Sequence, residues 1–371
     1  MVVHLVAADR WTGAAATALQ AVEALRTMGV EAQFAFRPGR GLQERLAGLP
    51  WAHPILEKER SPASLGRVSR NLRHLLEKAQ VVHVHLPHDH LLAWWLLKKL
   101  SKRPRLVRSV HHPKHLRPDP YHRLLFRGVA GVGLANSAMV DKAQKLVGNV
   151  PVVHLPLALE QRFFCQQDRD AVRRILGIPK EAFVAGTVGK LDAGRGQDLL
   201  LHGLAAAPSA WGIVVGKGPH LPRLQKLARQ LNIAERVIFL GYVEEGLEQL
   251  YTAMDVFVFP EAGSDWAHRA VAEAAACGVP TLAVDIPGIR DLVEPGKTGD
   301  LWPRGDAAAL AVLLRQWQSD FLRRRKAGEE ARRQAARLTS SALADALLRL
   351  YGTEAITLHT PRNGSRELPL P

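Results

Sequence analysis

The residues best suited to bind a charged ligand lie in loops of the C-terminal half, directly after short apolar runs. The first of these loops reads GKLDAGRG over residues 189–196 and places Lys190 and Arg195 five positions apart. Glycines such as Gly189 let backbone approach an anion, the following helix N-terminus attracts it, and two cations can neutralise a diphosphate. A surface loop with incidental charges has the same composition, so this loop alone does not identify the ligand.

Two further turns of the same half could present backbone groups to a ligand. Gly216 opens the turn GKGP, and Tyr242 and Val243 follow an apolar run. A single Gly-x-Gly is weak evidence, because many strand-to-helix turns need glycine for steric reasons alone.

A third region, residues 260–280, contains two carboxylates that could bind the sugars of a nucleotide. Asp265 and Glu273 are eight positions apart, which corresponds to roughly 12 Å along a helix. Backbone N–H groups between them are available to the same ligand. For either carboxylate alone, the simpler interpretation is an N-cap at Asp265 and a solvated helix residue at Glu273.

These loops need a sheet that holds them at one edge, and the apolar runs supply its strands. In parallel sheets ligands bind beyond the carboxyl ends of the strands, which is where the three loops start. We predict strands at residues 183–188, 212–215, 237–240, 256–259 and 281–284. We predict helices at residues 197–207, 222–231, 245–254, 268–277, 307–317, 321–338 and 341–351.

The N-terminal half repeats the alternation of strands and helices. A turn at Gly13 follows a first strand and precedes a helix over residues 14–28. Further strands are predicted at residues 32–36, 81–85, 106–110, 131–135 and 150–155. The pattern is typical of an α/β protein with parallel sheets, and 371 residues suit two domains. We place an acceptor-binding domain at 1–165, a donor-binding domain at 166–352, whose last helix could pack on the first domain, and a disordered tail at 353–371.

The net charge of +15 is concentrated in the N-terminal half. Residues 1–165 contain 24 Lys and Arg against 11 Asp and Glu, a balance of +13, which leaves +2 for residues 166–371. Such charge suits anionic lipid, a phosphorylated acceptor or nucleic acid, although a solvated surface gives the same counts. Zinc-finger spacing, an RNP-type aromatic signature and a basic heptad array are all missing from the sequence, so we do not expect nucleic acid as a partner.

The sequence predicts a cytoplasmic protein. Its N-terminal apolar run is too short for a signal peptide, and residues 91–97 are too few to span a bilayer. Cys165 and Cys277 have no spacing typical of a disulfide framework or a zinc site. Cations at residues 98–127 alternate with aromatic residues, which predicts peripheral contact with an anionic membrane at the cytoplasmic face of the inner membrane.

In their order along the chain, the C-terminal motifs resemble the retaining GT-B glycosyltransferases. This large family includes sucrose synthases, bacterial mannosyltransferases and lipopolysaccharide core glucosyltransferases. The similarity covers residues 183–306 and includes the three loops, CGVP at 277–280 and GKTG at 296–299. The resemblance implies a GT-B architecture, in which two Rossmann-like doubly wound domains face each other across a cleft.

The resemblance also implies roles for individual residues. Lys190 and Arg195 would clamp the donor diphosphate, although the family more often has Arg at the first position and Lys at the second. Asp265 would hold the donor sugar, where the family usually has Glu, and Glu273 would hold the ribose. The implied donor-binding set is Gly13, Gly189, Lys190, Arg195, Gly216, Tyr242, Val243, Asp265, His268, Arg269 and Glu273.

The N-terminal half resembles the family more loosely. Gly13 stands where the family places a turn facing the phosphates, and the strand end RSVHH matches the one that carries the histidine next to the donor sugar. We assign that histidine to His111, with His112 as the alternative. A departure is Pro156-Leu157, where the family usually has Asn-Gly.

From this resemblance we predict a retaining hexosyltransferase in which His111, Asp265, Lys190 and Arg195 are catalytic. Its substrates would be a nucleoside diphosphate sugar and a glycan or lipid-linked acceptor, in the synthesis of lipopolysaccharide core or another surface glycan. We expect no metal and no cofactor. A nucleotide-sugar 2-epimerase and a non-catalytic nucleotide-sugar-binding protein remain open, whereas an NAD-dependent oxidoreductase is disfavoured because no complete Gly-x-Gly-x-x-Gly follows the first strand.

Overall fold

The computed structural model describes residues 1–8, 11–39, 41–57, 62–243, 245–261 and 267–352, which divide into two compact units. Unit 1 comprises Met1–Ala135, Val140–Ala158 and the chain from Ser340. Unit 2 comprises Asn136–Met139 and Leu159–Thr339. Asp265 and the predicted tail at 353–371 lie outside the described residues.

Unit 1 is a parallel sheet with helices. In the described residues its strands are β1 (Val2–Val6), β2 (Ala32–Phe36), β3 (Ala52–His53), β4 (Val81–Val84), β5 (Arg105–Val110), β6 (Gly131–Leu134) and β7 (Val152–His154). Its first helices are α1 (Gly13–Thr27), α2 (Leu42–Leu46), α3 (Pro62–Lys78), α4 (Pro87–Leu97), α5 (Pro120–Phe126) and α6 (Val140–Val147). The strand order is β3-β2-β1-β4-β5-β6-β7. Residues of β1 and β4 are buried throughout, as expected of strands covered on both faces.

Unit 2 is a second parallel sheet with the order β10-β9-β8-β11-β12-β13. Its strands are β8 (Val184–Val188), β9 (Trp211–Val215), β10 (Val237–Gly241), β11 (Val256–Phe259), β12 (Thr281–Val284) and β13 (Gly299–Trp302). Its helices are α7 (Arg169–Ile175), α8 (Gln197–Ala205), α9 (Leu221–Gln230), α10 (Leu247–Thr252), α11 (Arg269–Ala276), α12 (Ala307–Ser319) and α13 (Phe321–Ala335). The order reverses between β8 and β11, and such a switch point is where open parallel sheets bind ligands.

The last helix, α14 (Ser340–Tyr351), belongs to unit 1. It packs on α1 and contacts β6 and β7. Leu343, Leu347 and Tyr351 are buried in the same core as the residues of α1 and β2. The chain therefore returns to its N-terminal unit after completing unit 2.

A buried carboxylate joins the two strands that flank the switch point of unit 2. Asp255, directly before β11, accepts hydrogen bonds from the Val184 backbone N–H of β8 at 2.8 Å, from Arg169 at 2.6 Å and from Arg173 at 2.8 Å. Burial by itself raises the pKa of Asp255, but the charges of Arg169 and Arg173 and the Val184 N–H together lower it more, so the net pKa is below its ordinary value. The carboxylate thus holds β8 and β11 in register at their start.

The structure confirms the predicted fold class, with two doubly wound parallel sheets. It adds β3, α7 and β13, for which we predicted no element, and it gives positions to the helices α2 to α6, for which we predicted no bounds. Within the described residues, no helix combines the length and the apolar character needed to cross a bilayer.

Candidate functional site

The first two loops of unit 2 run against each other after β8 and β9. Leu191 donates its backbone N–H to the Lys217 carbonyl at 3.0 Å. A Cβ added at Gly216 would lie 1.8 Å from the Gly189 carbonyl oxygen, and one at Gly218 would lie 1.9 Å from the Leu191 oxygen. Glycine is therefore required in this turn, because the backbones of the two loops approach too closely for a Cβ. The same close approach places backbone groups of both loops next to each other.

The first loop also meets the start of the third, across the switch point. Gly196 precedes α8 in the left-handed conformation (φ +75°), and an added Cβ would lie 2.8 Å from Pro260 Cβ. Pro260 follows β11 directly. The loops after β8, β9 and β11 therefore converge at the carboxyl edge of one sheet, as expected for a ligand site.

Both predicted cations lie on the first loop. The exposed Lys190 donates to Asp192 Oδ2 at 2.6 Å. Arg195 is half-buried, and its Nη2 atom lies 3.9 Å from the position of a Cβ at Gly189. Water screens an exposed ion pair such as that of Lys190, so Lys190 can exchange Asp192 for another anion at small cost.

Glu273 lies on α11 and is 8% exposed. Tyr251 of α10 donates its hydroxyl to Glu273 Oε2 at 3.0 Å. Burial and the nearby Glu273 charge raise the pKa of Tyr251 well above its ordinary value, so the hydroxyl keeps its proton. The simpler interpretation of Glu273 as a solvated helix residue is therefore wrong, because its carboxylate is buried and oriented.

His268 and Arg269 lie at the start of α11. His268 is buried and has a left-handed backbone (φ 52°), which is uncommon for a residue other than glycine. Its Nε2–H donates to the Pro287 carbonyl at 3.2 Å, and its ring packs 5.5 Å from that of Phe259. Arg269 is half-buried at the first position of the helix.

The remaining predicted residues of unit 2 lie after β10. Tyr242 is 55% exposed, and Lys217 Nζ lies 4.5 Å from its ring centroid, in cation–π distance. Val243 is half-buried beside it. Lys217 therefore connects the turn after β9 with the turn after β10.

In unit 1, Gly13 is the exposed first residue of α1, and Thr12 caps that helix by accepting from the Ala15 N–H at 3.2 Å. The two candidate histidines follow β5 and have different contacts. His111 is half-buried and its Nε2 lies 3.1 Å from His85 Nδ1. His112 Nδ1 accepts the Lys114 N–H at 3.0 Å and so caps a short 3-10 helix.

Burial, followed by the Arg108 charge, lowers the pKa of His111 to about 3. The imidazole is therefore neutral at physiological pH. A neutral ring offers one hydrogen-bond donor and one acceptor, and cannot serve as a cation towards a diphosphate.

Sequence reasoning missed the polar groups behind His111. His4, His83 and His85 are buried next to one another, and Tyr351 of α14 lies between His4 and His83. The available signal was the period of two at positions 83 and 85, and again at Ser109 and His111, because alternate residues of a strand share a face.

Comparisons with known proteins identify relatives of both units. The chain matches the family described as "Glycosyl transferases group 1" over residues 168–334, and the one described as "Glycosyltransferase Family 4" over residues 11–140. The D-inositol 3-phosphate glycosyltransferase of Thermomonospora curvata is 32% identical over 313 residues, covering 72% of this chain and 71% of that protein.

A second relative and a solved structure extend the comparison. The D-inositol 3-phosphate glycosyltransferase of Stackebrandtia nassauensis is 30% identical over 74% of this chain, which spans 64% of that protein, less than two thirds of its length. The crystal structure of HepE from Anabaena in complex with UDP has a TM-score of 0.81 at 18% identity, covering 94% of this chain and 98% of that one. At this identity, the likeness to HepE concerns the fold.

Proposed function

Because the chain belongs to the group 1 glycosyl transferase family, we propose that it transfers a sugar from a nucleoside diphosphate sugar to an acceptor hydroxyl. The observation that carries the proposal is the convergence of three loops at the switch point of unit 2. One loop supplies two cations, and the helix after another supplies the buried, oriented carboxylate of Glu273. This combination of charges suits a diphosphate flanked by two sugars.

The proposed reaction breaks the bond between the anomeric carbon and the diphosphate. Negative charge builds on the leaving oxygens, and Lys190 and Arg195 stabilise that charge without a metal ion. The N-terminus of α1 at Gly13 adds a partial positive charge. The acceptor oxygen bonds to the anomeric carbon, its proton passes to the departing diphosphate oxygen, and the anomeric configuration is retained, as the resemblance to retaining enzymes implies.

The other residues of the site bind the donor. Glu273 accepts hydrogen bonds from the ribose hydroxyls, since a carboxylate has only acceptors, and the Tyr251 hydroxyl occupies one of its oxygens. Backbone at Gly189 and Gly216 approaches the phosphates, and Tyr242 and Val243 lie against the base.

The reacting sugar requires a further set of contacts. Asp265 holds the sugar hydroxyls, His268 and Arg269 place the N-terminus of α11 near the donor, and neutral His111 forms a hydrogen bond close to the anomeric centre. These assignments follow the motif positions, and the neutral state of His111 follows from its low pKa.

Product analysis tests the transferase against its two alternatives. We expect the purified protein, given a nucleotide sugar and an acceptor glycan, to release nucleoside diphosphate and form a glycoside with the donor's anomeric configuration, read by proton NMR. Appearance of an epimerised nucleotide sugar without acceptor would identify a 2-epimerase. A donor that is bound but remains intact would identify a binding protein.

We propose that the acceptor is anionic or lipid-linked, as in lipopolysaccharide core or another surface glycolipid. The excess charge of residues 1–165 and the phosphorylated inositol in the names of two relatives both fit such an acceptor. Trp94 and Trp95 lie on α4, and Lys98 and Lys99 follow it. Lys98 Nζ lies 3.4 Å from the ring centroid of Trp94, and Lys99 Nζ lies 3.3 Å from that of Trp95. Paired cations and indoles suit the headgroup region of a membrane.

Vesicle binding tests this membrane contact. The variant Lys98→Glu/Lys99→Glu is expected to bind vesicles of anionic phospholipid about 10-fold more weakly or worse at low salt, because each lysine near such a surface contributes about 1 kcal/mol. The matched control Arg325→Glu/Lys326→Glu reverses two exposed neighbouring cations of unit 2 and should bind like wild type. If wild type fails to sediment with the vesicles at low salt, the membrane contact does not exist.

A further inference from the structure

Five polar side chains behind His111 have no role in the reaction described above. They are supplied by three adjacent strands and by the last helix, and all are buried. They are His4 of β1, His83 of β4, His85 directly after β4, Ser109 of β5 and Tyr351 of α14. Burying this many polar groups is costly unless each finds a partner.

Together with His111, these side chains form one continuous hydrogen-bonded chain. Ser109 Oγ lies 2.8 Å from His83 Nε2, and His83 Nδ1 lies 2.7 Å from the Tyr351 hydroxyl. The same hydroxyl lies 3.1 Å from His4 Nε2, and His4 Nδ1 lies 3.0 Å from His85 Nε2. The last link joins His85 Nδ1 to His111 Nε2 at 3.1 Å. Both ring nitrogens of His4, His83 and His85 therefore have a hydrogen-bond partner.

Each imidazole in the chain is neutral. Burial lowers the pKa of His4 and of His111 to about 3, and lowers the pKa values of His83 and His85 well below the ordinary value. A neutral ring has one N–H and one lone pair, so it donates on one side and accepts on the other. If the Tyr351 hydroxyl donates to one histidine and accepts from the other, the hydrogen bonds all point towards His111 or all point away from it. If it accepts from both, its own buried proton is left unpaired, which disfavours that arrangement.

The Ser109 end decides between them. If the bonds point away from His111, His83 donates to Ser109, and the buried Ser109 proton needs a further acceptor. In the described part of the chain, Ser109 Oγ has His83 Nε2 as its sole hydrogen-bond partner. If the bonds point towards His111, Ser109 donates to His83 and no proton is left unpaired. The unpaired buried hydroxyl disfavours the arrangement that points away from His111 by roughly 10-fold or more.

We propose that Ser109 and Tyr351, acting through His83, His4 and His85, hold His111 as its Nδ1–H tautomer, so that His111 meets the substrate as a hydrogen-bond donor. Ser109 and Tyr351 are then positioning residues, and His111 cannot act as a general base through Nε2, whose lone pair is taken. The importance of this tautomer for transfer rests on the function proposed above, whereas the tautomer itself depends only on unit 1.

A metal site is the competing interpretation of the same residues. Ligand atoms of His4, His83 and His85 lie within 4.8 Å of one another. Coordination would require each histidine to give up one of its two hydrogen bonds. The hydrogen-bonded chain satisfies these groups without an ion, so we favour it.

Nuclear magnetic resonance of protein with 15N-labelled histidine measures the tautomers directly. Long-range 1H–15N spectra of the free protein should show His4, His83, His85 and His111 all protonated at Nδ1. The signals of each histidine are assigned by their loss from the spectrum of a variant in which that histidine alone is replaced. Protonation at Nε2 in His111, or shifts typical of metal-bound imidazole with bound zinc in elemental analysis, would overturn the proposal. Since no substrate is added, this result does not depend on the proposed activity.

The variant Tyr351→Phe tests the coupling along the chain. It keeps the ring but removes the hydroxyl, so His4 Nε2 has no partner in either arrangement and the preference weakens. We expect a measurable Nε2–H fraction of His111, and a transfer rate reduced by the factor by which the Nδ1–H population falls. The control Thr27→Val removes another hydroxyl of unit 1, which donates to the Ala24 carbonyl at 2.8 Å, and should match wild type in both readouts.

The two readouts separate the inference from the proposed function. If Tyr351→Phe leaves the tautomer populations of His4, His85 and His111 unchanged, the coupling does not exist, even if the enzyme transfers sugar. If the tautomers are as stated but the wild-type protein transfers no sugar, the proposed function is wrong, whereas the hydrogen-bonded chain from Ser109 to His111 is confirmed.

Discussion

Replacing Lys190 and Arg195 together by alanine is expected to lower kcat by about 10³-fold or more, because in the proposed reaction both cations stabilise charge that develops on the departing diphosphate. Removal of one such electrostatic contact typically costs about 10²- to 10³-fold. The folded state should be nearly unaffected, since Lys190 is exposed and water screens its ion pair with Asp192. The measurement is single-turnover transfer at saturating donor, with the unfolding temperature as the stability check.

The chain offers a closely matched control for this pair. Lys180 is an exposed lysine of unit 2 bound to Asp170 at 2.8 Å, and Arg325 is an exposed arginine bound to Glu329 at 3.1 Å. The variant Lys180→Ala/Arg325→Ala removes the same charges from the same unit but outside the loops, and should retain wild-type kcat. Equal losses in the two double variants would mean that net charge, and not the first loop, is responsible.

Much of the fold could be predicted because its strands are continuous apolar runs separated by helical periods. Parallel strands covered on both faces have this pattern, and the observed β8, β9, β11 and β12 agree with it. The strand β3, with two residues, and β13, in which two of the four residues are half-buried, give too weak a pattern. Both strands are defined by their pairing with β2 and β12, and a short stretch of sequence does not contain the residues of the partner strand.

The loops of the site were predictable for a different reason. In a parallel sheet, loops that follow consecutive strands meet at one edge, so glycines and cations after β8 and β9 had to approach each other. The exact need for glycine at 216 and 218 depends on the 1.8 and 1.9 Å clashes with the first loop, which only the assembled sheet shows.

The burial of Glu273 could not be predicted, since a single carboxylate on a helix is usually solvated. It follows from the packing of α10 against α11, which brings the Tyr251 hydroxyl to the carboxylate. The hydrogen-bonded chain behind His111 was even harder to predict from the sequence. It needs the neighbouring order of β1, β4 and β5, and a contact between His83 and Tyr351, which are 268 positions apart.

Glu273 is also the residue whose loss should most weaken the binding of nucleotide. In the proposed function its buried carboxylate binds the two hydroxyls of the ribose, and a hydrogen bond to a charged group contributes about 1.5–3 kcal/mol. Glu273→Gln keeps the shape and can still accept from Tyr251, but removes the charge, so we expect about 10-fold to 100-fold weaker affinity for the nucleoside diphosphate. Glu248→Gln alters another buried carboxylate of unit 2, on α10, and should bind like wild type.

Calorimetric titration of the wild-type protein with UDP, GDP and ADP, repeated with Glu273→Gln and Glu248→Gln, tests the nucleotide site most directly. The structure predicts that wild type and Glu248→Gln bind one of these nucleotides with equal affinity and that Glu273→Gln binds it at least about 10-fold more weakly. If none of the three nucleotides binds wild type at millimolar concentration, or if Glu273→Gln binds as tightly as wild type, the loops at the switch point of unit 2 are not the donor site.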